Sequence, residues 1–392
     1  MLNQIVITEG VRTPVGKYGG ALRDFESWEL ASLVVKEVLE RSGLPAGAID
    51  GVVLGCCGQF SKNQWAARIA ALKNGLAVES SALMVNRQCA SGLQAIITAA
   101  QTISNGDAEL IIAGGCEDMS SYPYLVPNKA RWGYRMGHGV FVDQLLANLT
   151  DPFYDIHFGM TAENVAKKYG VTREAQDAWA SQSHERALAA WEQGLFDGQV
   201  LPVQVGKGSK ARLFDQDEGP RKSPVESLAK LPPAFMEGGT VTAGNAGSIN
   251  DAAAAVLIMR EKRAMELGCK PLLRVVDYAV AGVPPEFMGT GPIASTRKLM
   301  EKLGMSLREV GLVELNEAFA AQTLACIQEL GLNPETVNVN GSGISLGHPV
   351  GATGCILAIK LAYEMRRRKV RYGLVTMCIG GGQGMSALFE LV

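Results

Sequence analysis

An excess of either charge is the first thing missing from this sequence. Its 37 Lys and Arg face 39 Asp and Glu, for a net charge of −2. No global positive field exists to hold a nucleic-acid backbone or an anionic membrane, so neither is expected as a partner. Long apolar runs are also absent. No stretch reaches the roughly 18 residues of a membrane span, and the apolar run Ala252–Met259 is far too short. The N-terminus has no basic region leading into an apolar one, which argues against a secretory signal. The four histidines (His138, His157, His184 and His348) are widely separated, and none of the eight cysteines forms a CxxC pair. A structural zinc site is therefore not expected, and scattered thiols suit a reducing cytoplasm. Neither GxxxxGK followed by Ser or Thr nor a strand-linked GxGxxG occurs, so nucleotide cofactors have no support.

Glycine, by contrast, is abundant: 45 of 392 residues, above the average of about 7%. Many sites must therefore turn with positive φ or let two backbones approach closely. With 47% apolar and 19% charged residues the composition is that of a globular protein. Short apolar runs alternate with helix-like segments. Gln4–Thr8 is strand-like, and Trp28–Ser42 has helical periodicity and stops at Gly43. Gly51–Gly55 and Leu83–Asn86 are strand-like, Ala90–Ser104 is an apolar helix, and Leu110–Ala113 runs into Gly114-Gly115. This order predicts an α/β fold with helices covering a sheet.

The second half repeats the scheme. Leu273–Asp277 corresponds to the first strand, Ser295–Leu303 to the first helix and Gly311–Leu315 to Gly51–Gly55. Val337–Asn340 is predicted to be a strand like Met84–Asn86, Ala352–Met365 a helix like Ala90–Ser104, and Gly373–Met377 a strand like Leu110–Ala113. An internal duplication follows, with a period of roughly 250–270 residues, far beyond any solenoid repeat. Between the halves lies a different region with prolines, aromatics, a polar helix at Thr172–Gly194 and a charged loop at Val205–Pro224. The expected organisation is a first half over 1–118 completed by 246–272, an insertion over 119–245, and a second half over 273–392.

Four constellations bear on chemistry. Cys89, in Asn86-Arg-Gln-Cys-Ala-Ser-Gly92, stands where a strand gives way to a helix. A helix N-terminus favours a thiolate, the nucleophilic form; a buried structural cysteine is the other reading. His348 lies in the glycine-rich run Asn340–Gly354, as a base for Cys89 or a packed histidine. Cys378 opens Cys378-Ile-Gly380-Gly-Gly382. It fits a second acid/base or a small strand-end residue, and the glycine N–H groups suit an oxyanion. Asn316, in Leu315-Asn-Glu-Ala-Phe319, fits a water-orienting amide or an N-cap. Gly343-Ile-Ser345-Leu-Gly347 matches the GxSxG hydrolase elbow, but Pro349 and Gly351 delay the helix that motif requires.

Taken together, these segments resemble the thiolase family, of the acetyl-CoA acetyltransferase type. The resemblance covers nearly the whole chain. It runs through Arg12-Thr-Pro-Val-Gly-Lys17, Cys89-Ala-Ser-Gly92, Ala113-Gly-Gly115, Thr161-Ala-Glu-Asn164, Gly239-Thr-Val-Thr-Ala-Gly-Asn245, Met288-Gly-Thr-Gly-Pro292, Asn316-Glu-Ala-Phe319, Gly347-His-Pro349 and Cys378-Ile-Gly-Gly-Gly382. It implies a duplicated five-layered αβαβα fold with an inserted loop domain. It also implies a reversible ping-pong condensation of two acetyl-CoA to acetoacetyl-CoA, with Cys89 as nucleophile, His348 as its base and Cys378 as the base for the α-proton. Backbone N–H groups of Cys89 and Gly380 would hold one oxyanion, and His348 with a water on Asn316 the other.

By the same resemblance, CoA is a substrate and no cofactor is needed. Arg221 lies near the nucleotide end of CoA, and Ala234, Phe235, Gly247 and Ser248 lie near the pantetheine. His157 and Met288 line the acyl pocket, Phe158 beside them faces either that pocket or the loop core, and Phe319 is a further substrate or CoA contact. A homodimer or homotetramer is implied, with Tyr122–Val142 at the tetramerisation loop, as is a place in fatty acid metabolism. The chain departs from the family pattern in reading Asn245-Ala-Gly247-Ser248 for Asn-x-Ser-Gly, and in having Phe158, Asp118 and Trp65 in place of the more usual Met, Ser and Pro. A degradative 3-ketoacyl-CoA thiolase and an inactive acyl-CoA-binding relative are the competing readings.

Overall fold

The computed structural model describes residues 2–392. The first half contributes β1 (Ile5–Arg12), α1 (Ser27–Ser42), β2 (Gly51–Gly55), α2 (Ala66–Lys73), β3 (Ser81–Val85), α3 (Ser91–Asn105) and β4 (Leu110–Asp118). After the insertion, which holds α4 (Phe158–Tyr169) and α5 (Arg173–Glu192), the chain returns as β5 (Asn250–Arg260). The second half contributes β6 (Leu273–Gly282), α6 (Gly291–Leu303), β7 (Leu312–Leu315), α7 (Ala320–Leu330), α8 (Val350–Arg368), β8 (Tyr372–Ile379) and β9 (Gln383–Leu391).

Local sequence explains the elements. In α1 the apolar residues Leu30, Ala31, Val34, Val35, Val38 and Leu39 recur at helical spacing and are buried, and Gly43 ends the helix at φ 66°. Strands β4 and β5 are buried along almost their whole length, which is why they read as continuous apolar runs rather than alternating ones.

The strands hydrogen-bond in the order β7-β8-β9-β6-β1-β5-β4-β2-β3, with the short Gly16–Lys17 segment paired to β5. The order is the same in each half, read outward from the centre. The halves meet where β1 pairs β6 through Val6–Arg274 and Ile7–Leu273. Helices α1 and α2 cover the outer face of the first half, α6 and α7 that of the second, and α3 and α8 form the shared middle layer. The result is the five-layered αβαβα arrangement.

The middle helices touch backbone to backbone. A Cβ on Gly92 would come within 2.9 Å of the Gly351 carbonyl oxygen, and one on Gly354 would overlap the backbone of Leu93. The first turns of α3 and α8 are therefore packed together, so two positive helix ends converge.

One expected strand did not form. Val337–Asn340 shrinks to a single bridge between Val337 and Val313. Asn338 adopts φ 51°, and its side chain takes over the ladder. Its Oδ1 accepts from Leu315 N at 2.9 Å and its Nδ2 donates to Leu315 O at 2.7 Å. The insertion is held just as firmly. Asp217, in its charged loop, receives Arg12 through Nη1 and Nη2 at 2.7 and 2.9 Å, with both side chains buried.

Candidate active site

The end of β3 turns through Asn86–Ala90 into α3, and Cys89 lies two residues before the helix. Gln88 takes φ 47° to make the turn, steadied by Asn86 Oδ1 accepting from its N–H at 3.0 Å. Cys89 is only 8% exposed. The expected thiolate is not the resting form. Burial pushes the thiol up to about 11, outweighing the N–H groups of Gly380 and of Cys89 itself, which pull it down.

His348 sits in the matching position of the second half, two residues before α8. Its N–H donates to Asn250 Oδ1 at 2.8 Å. Its ring lies between Thr353 and Asn316: Nδ1 is 2.7 Å from Thr353 Oγ1 and Nε2 is 3.3 Å from Asn316 Nδ2. The Thr353 hydroxyl donates to Pro349 O at 2.8 Å, so it must accept from Nδ1–H. That assigns the tautomer and leaves the Nε2 lone pair as the basic site. Burial lowers His348 to about 4, so the ring stays neutral at physiological pH. Asn316 is buried and its Oδ1 lacks a protein partner, leaving one acceptor free for a water.

Cys378 is fully buried near the end of β8. Burial raises its thiol well above the ordinary value, and the Cys89 sulfur adds to the shift. A buried neutral nucleophile, a neutral base with a fixed tautomer and a second high-pKa thiol can carry a proton through a covalent acyl transfer.

The description "Thiolase, N-terminal domain" fits residues 5–262, and "Thiolase, C-terminal domain" fits residues 269–391. The chain belongs to the thiolase family. It is similar to the beta-ketothiolase of Cupriavidus necator, 49% identical over 100% of both chains. It is also similar to the acetyl-CoA acetyltransferase of Pseudomonas aeruginosa, 49% identical over 98% of both. Among solved structures, the Bacillus anthracis acetyl-CoA acetyltransferase superposes with a TM-score of 0.97 at 44% identity, over 100% of this chain and 99% of that one. The human mitochondrial 3-ketoacyl-CoA thiolase reaches 0.97 at 38% identity over 100% of both.

In this thiolase Cys89 and His348 open onto one cavity of about 530 Å³. Every substrate residue expected from the sequence lines it: His157, Phe158, Arg221, Ala234, Phe235, Gly247, Ser248, Met288 and Phe319. Cys378, Asn316 and Gly380 are not on its surface. Cys378 sits behind Phe158, Met288 and Phe319, Asn316 is held against His348, and Gly380 faces the Phe158 ring, whose Cζ lies 2.6 Å from where a Cβ would be. His157 caps α4, its Nδ1 accepting from Gly159 N at 3.0 Å, and stacks on Phe235 at 4.7 Å.

The departures acquire physical meaning. A Cβ on Gly247 would come within 2.9 Å of the Glu317 carbonyl oxygen, so this backbone rests on the loop that carries Asn316. The Ser248 hydroxyl donates to Asn250 Oδ1 at 2.8 Å, the same oxygen that holds the His348 N–H. Asp118 receives the Ser27 hydroxyl at 2.7 Å and the Asn63 amide at 3.2 Å, which fixes the start of α1. Ser345 is buried and bonded to Ser183 at 2.8 Å; Ser183 in turn binds Glu317. Ser345 is structural, which removes the hydrolase reading.

Several residues of the site escaped the sequence reading. Cys57, Tyr122 and Leu149 line the cavity, and Thr353, Asn250 and Glu117 bond the loops around it. Thr353 lies inside the glycine-rich run that pointed to His348, and was a legible signal. Asn250 and Glu117 reach the site only through the fold.

Proposed function

We propose that this thiolase is an acetyl-CoA acetyltransferase that condenses two acetyl-CoA into acetoacetyl-CoA and CoA, reversibly and through an acetyl-cysteine. The observation that carries the reading is the meeting of Cys89 and His348, the latter with a defined basic Nε2, at one apolar-walled cavity. His348 Nε2 takes the Cys89 proton as the sulfur attacks the thioester carbonyl. The C–S bond to CoA breaks, and the departing thiolate takes a proton from Cys378. The Cys89 and Gly380 N–H groups stabilise the oxyanion on this reading.

Cys378 is then a thiolate facing an uncharged thioester rather than another sulfur. Its intrinsically raised pKa makes it a strong base for a weakly acidic α-proton. It takes that proton from the second acetyl-CoA. The enolate, stabilised by the His348 imidazolium and a water on Asn316, attacks the acetyl carbonyl. Cys89 leaves and recovers its proton from His348. Every proton returns to its starting atom, and no cofactor beyond CoA enters.

The acyl end is short on this reading. Phe158 is 9% exposed, borders the cavity and lies against Gly380. The inserted residues 119–245 serve as the CoA-binding and oligomerisation unit, with Arg221 at the nucleotide end. Trp132, Met136 and Phe141 are exposed there at 83, 96 and 76%, which supports assembly of dimers into a tetramer. No helix among the described residues is long and apolar enough to cross a membrane; a cytoplasmic enzyme of fatty acid metabolism is consistent with that. Thiolysis of acetoacetyl-CoA that is lost in Cys89→Ala tests the assignment. A degradative thiolase, suggested by the beta-ketothiolase relative, is the second reading. A preference for 3-ketooctanoyl-CoA over acetoacetyl-CoA moves the assignment there.

A further inference from the structure

Glu117, next to last in β4, has no part in the chemistry above, yet it is fully buried beside it. Its Oε2 accepts from Cys57 N at 3.0 Å and Gly351 N at 2.8 Å. Its Oε1 accepts from Gly58 N at 2.9 Å and the Tyr122 hydroxyl at 2.9 Å, with the Cys56 thiol at 3.6 Å. One carboxylate therefore gathers donors from three separate segments. The first is the turn after β2, whose Cys57 stands in the cavity wall with Cys89. The second is the first turn of α8, three residues beyond His348. The third is Tyr122, in the same cavity wall at the start of the insertion.

We propose that Glu117 is a positioning residue for the thiolase reaction, a clamp that fixes the His348 loop against the Cys89 side of the site. The inference rests on the roles assigned to Cys89 and His348 above. The clamp sits where two helix N-termini converge, so the free N–H groups of Cys57, Gly58 and Gly351 have one common acceptor and the positive helix ends a compensating charge. A Gln would turn its NH₂ either toward the N–H groups of Cys57 and Gly351 or toward the Gly58 N–H and the Tyr122 hydroxyl, and leave at least one N–H without an acceptor.

The clamp also acts on the nucleophile through space. The other groups that act electrostatically with the Cys89 thiol are Cys57, Cys378 and the N–H groups of Gly380 and Cys89, and His348 shares its cavity. Glu117 is the charged side chain whose field reaches Cys89, and it raises the thiol. A merely structural buried acid, once replaced, lowers stability and the amount of folded enzyme. It does not separate the rate of acetylation from CoA affinity, and it does not move the titration of Cys89.

The test uses full-length wild type, Glu117→Gln and Tyr122→Phe. Three quantities are read on the folded fraction: the single-turnover rate of Cys89 acetylation by acetyl-CoA, KM and kcat for thiolysis, and the pH midpoint of Cys89 alkylation by iodoacetamide. Glu117→Gln is expected to slow acetylation about 10- to 100-fold, leave KM for CoA within about twofold of wild type, and shift the alkylation midpoint to lower pH. Tyr122→Phe, which removes one donor, is expected to slow acetylation about two- to fivefold. A folded Glu117→Gln that acetylates at the wild-type rate, or whose midpoint stays put, overturns the clamp. If that variant does not fold, Tyr122→Phe decides, and a wild-type rate there overturns it. Wild type that takes no acetyl group at Cys89 sinks the functional assignment and the clamp with it.

Discussion

The two halves of the fold place equivalent loops at the same spot and use them differently. In the first half a complete strand, β3, runs through a five-residue turn into α3 and delivers Cys89. In the second half the corresponding strand is reduced to one bridge, and the chain from Asn338 to Pro349 fills the space before α8 and delivers His348. The short turn holds Cys89 against two backbone N–H groups. The long loop wraps His348 with Asn316, Thr353 and Asn250, which fix its ring, tautomer and backbone. On the proposed reaction, the different loops before two equivalent helix N-termini separate bond-making from proton handling.

The sharpest way to break this division is to remove its chemistry. Cys89→Ala should lower thiolysis of acetoacetyl-CoA by at least about 10³-fold. Cys378→Ser should still take one acetyl group at Cys89, seen by mass spectrometry, while condensation falls about 10²- to 10⁴-fold. An acetyl group mapped to Cys378 or Ser345 would reverse the roles.

The next effect concerns pH. With His348 at about 4, kcat/KM should hold as pH drops from 7 and decline only near 4, where the ring takes a proton and Nε2 is lost as a base. Because the folded value lies below the ordinary 6.5, the unfolded chain binds more protons between those values. This histidine therefore withdraws stability as pH falls through that window. Brief pH jumps with initial-rate assays measure the first effect, and denaturation series at pH 7 and 5 the second. An activity midpoint near 6.5 contradicts the buried neutral ring.

Two substitutions probe the architecture behind the loops. Gly354→Ala forces a methyl into the backbone of Leu93 and should cost about 3 kcal/mol or more, read as a fall in urea midpoint. Asn338→Ala removes both bonds to Leu315 and should cost about 1–3 kcal/mol, whereas Leu83→Thr on the exposed part of β3 should stay within about 0.5 kcal/mol. Equal losses at Asn338 and Leu83 would mean that the second half does not depend on its side-chain substitute for a strand. The smallest effect is at the seam between insertion and second half. Phe158→Ala should raise the ratio of kcat/KM for 3-ketooctanoyl-CoA over acetoacetyl-CoA by about tenfold, and an unchanged ratio removes Phe158 from the acyl site.

What the sequence disclosed follows from how local the signals are. The helix starts just after Cys89 and His348 were legible because glycines and apolar runs mark them within a few residues. The layer order followed from the repeat. The missing strand at Asn338 was not legible, since a left-handed Asn that bonds a residue 23 positions away has the same composition as a strand end. The raised thiol of Cys89 was not legible for a similar reason: the helix end is local, whereas the burial that raises it comes from distant segments. Glu117 and Asn250 stand in ordinary strand sequence and acquire their contacts only when four segments meet.

The Asn338 amide has one more consequence, for how the sheet ends. By engaging both the N–H and the C=O of Leu315, it leaves the outer strand β7 without the free row of backbone groups that recruits another chain. The opposite margin, β3, has no such guard, and its residues Ser81–Leu83 are exposed. Among the described residues the sheet thus closes one border with a side chain and leaves backbone in the open at the other.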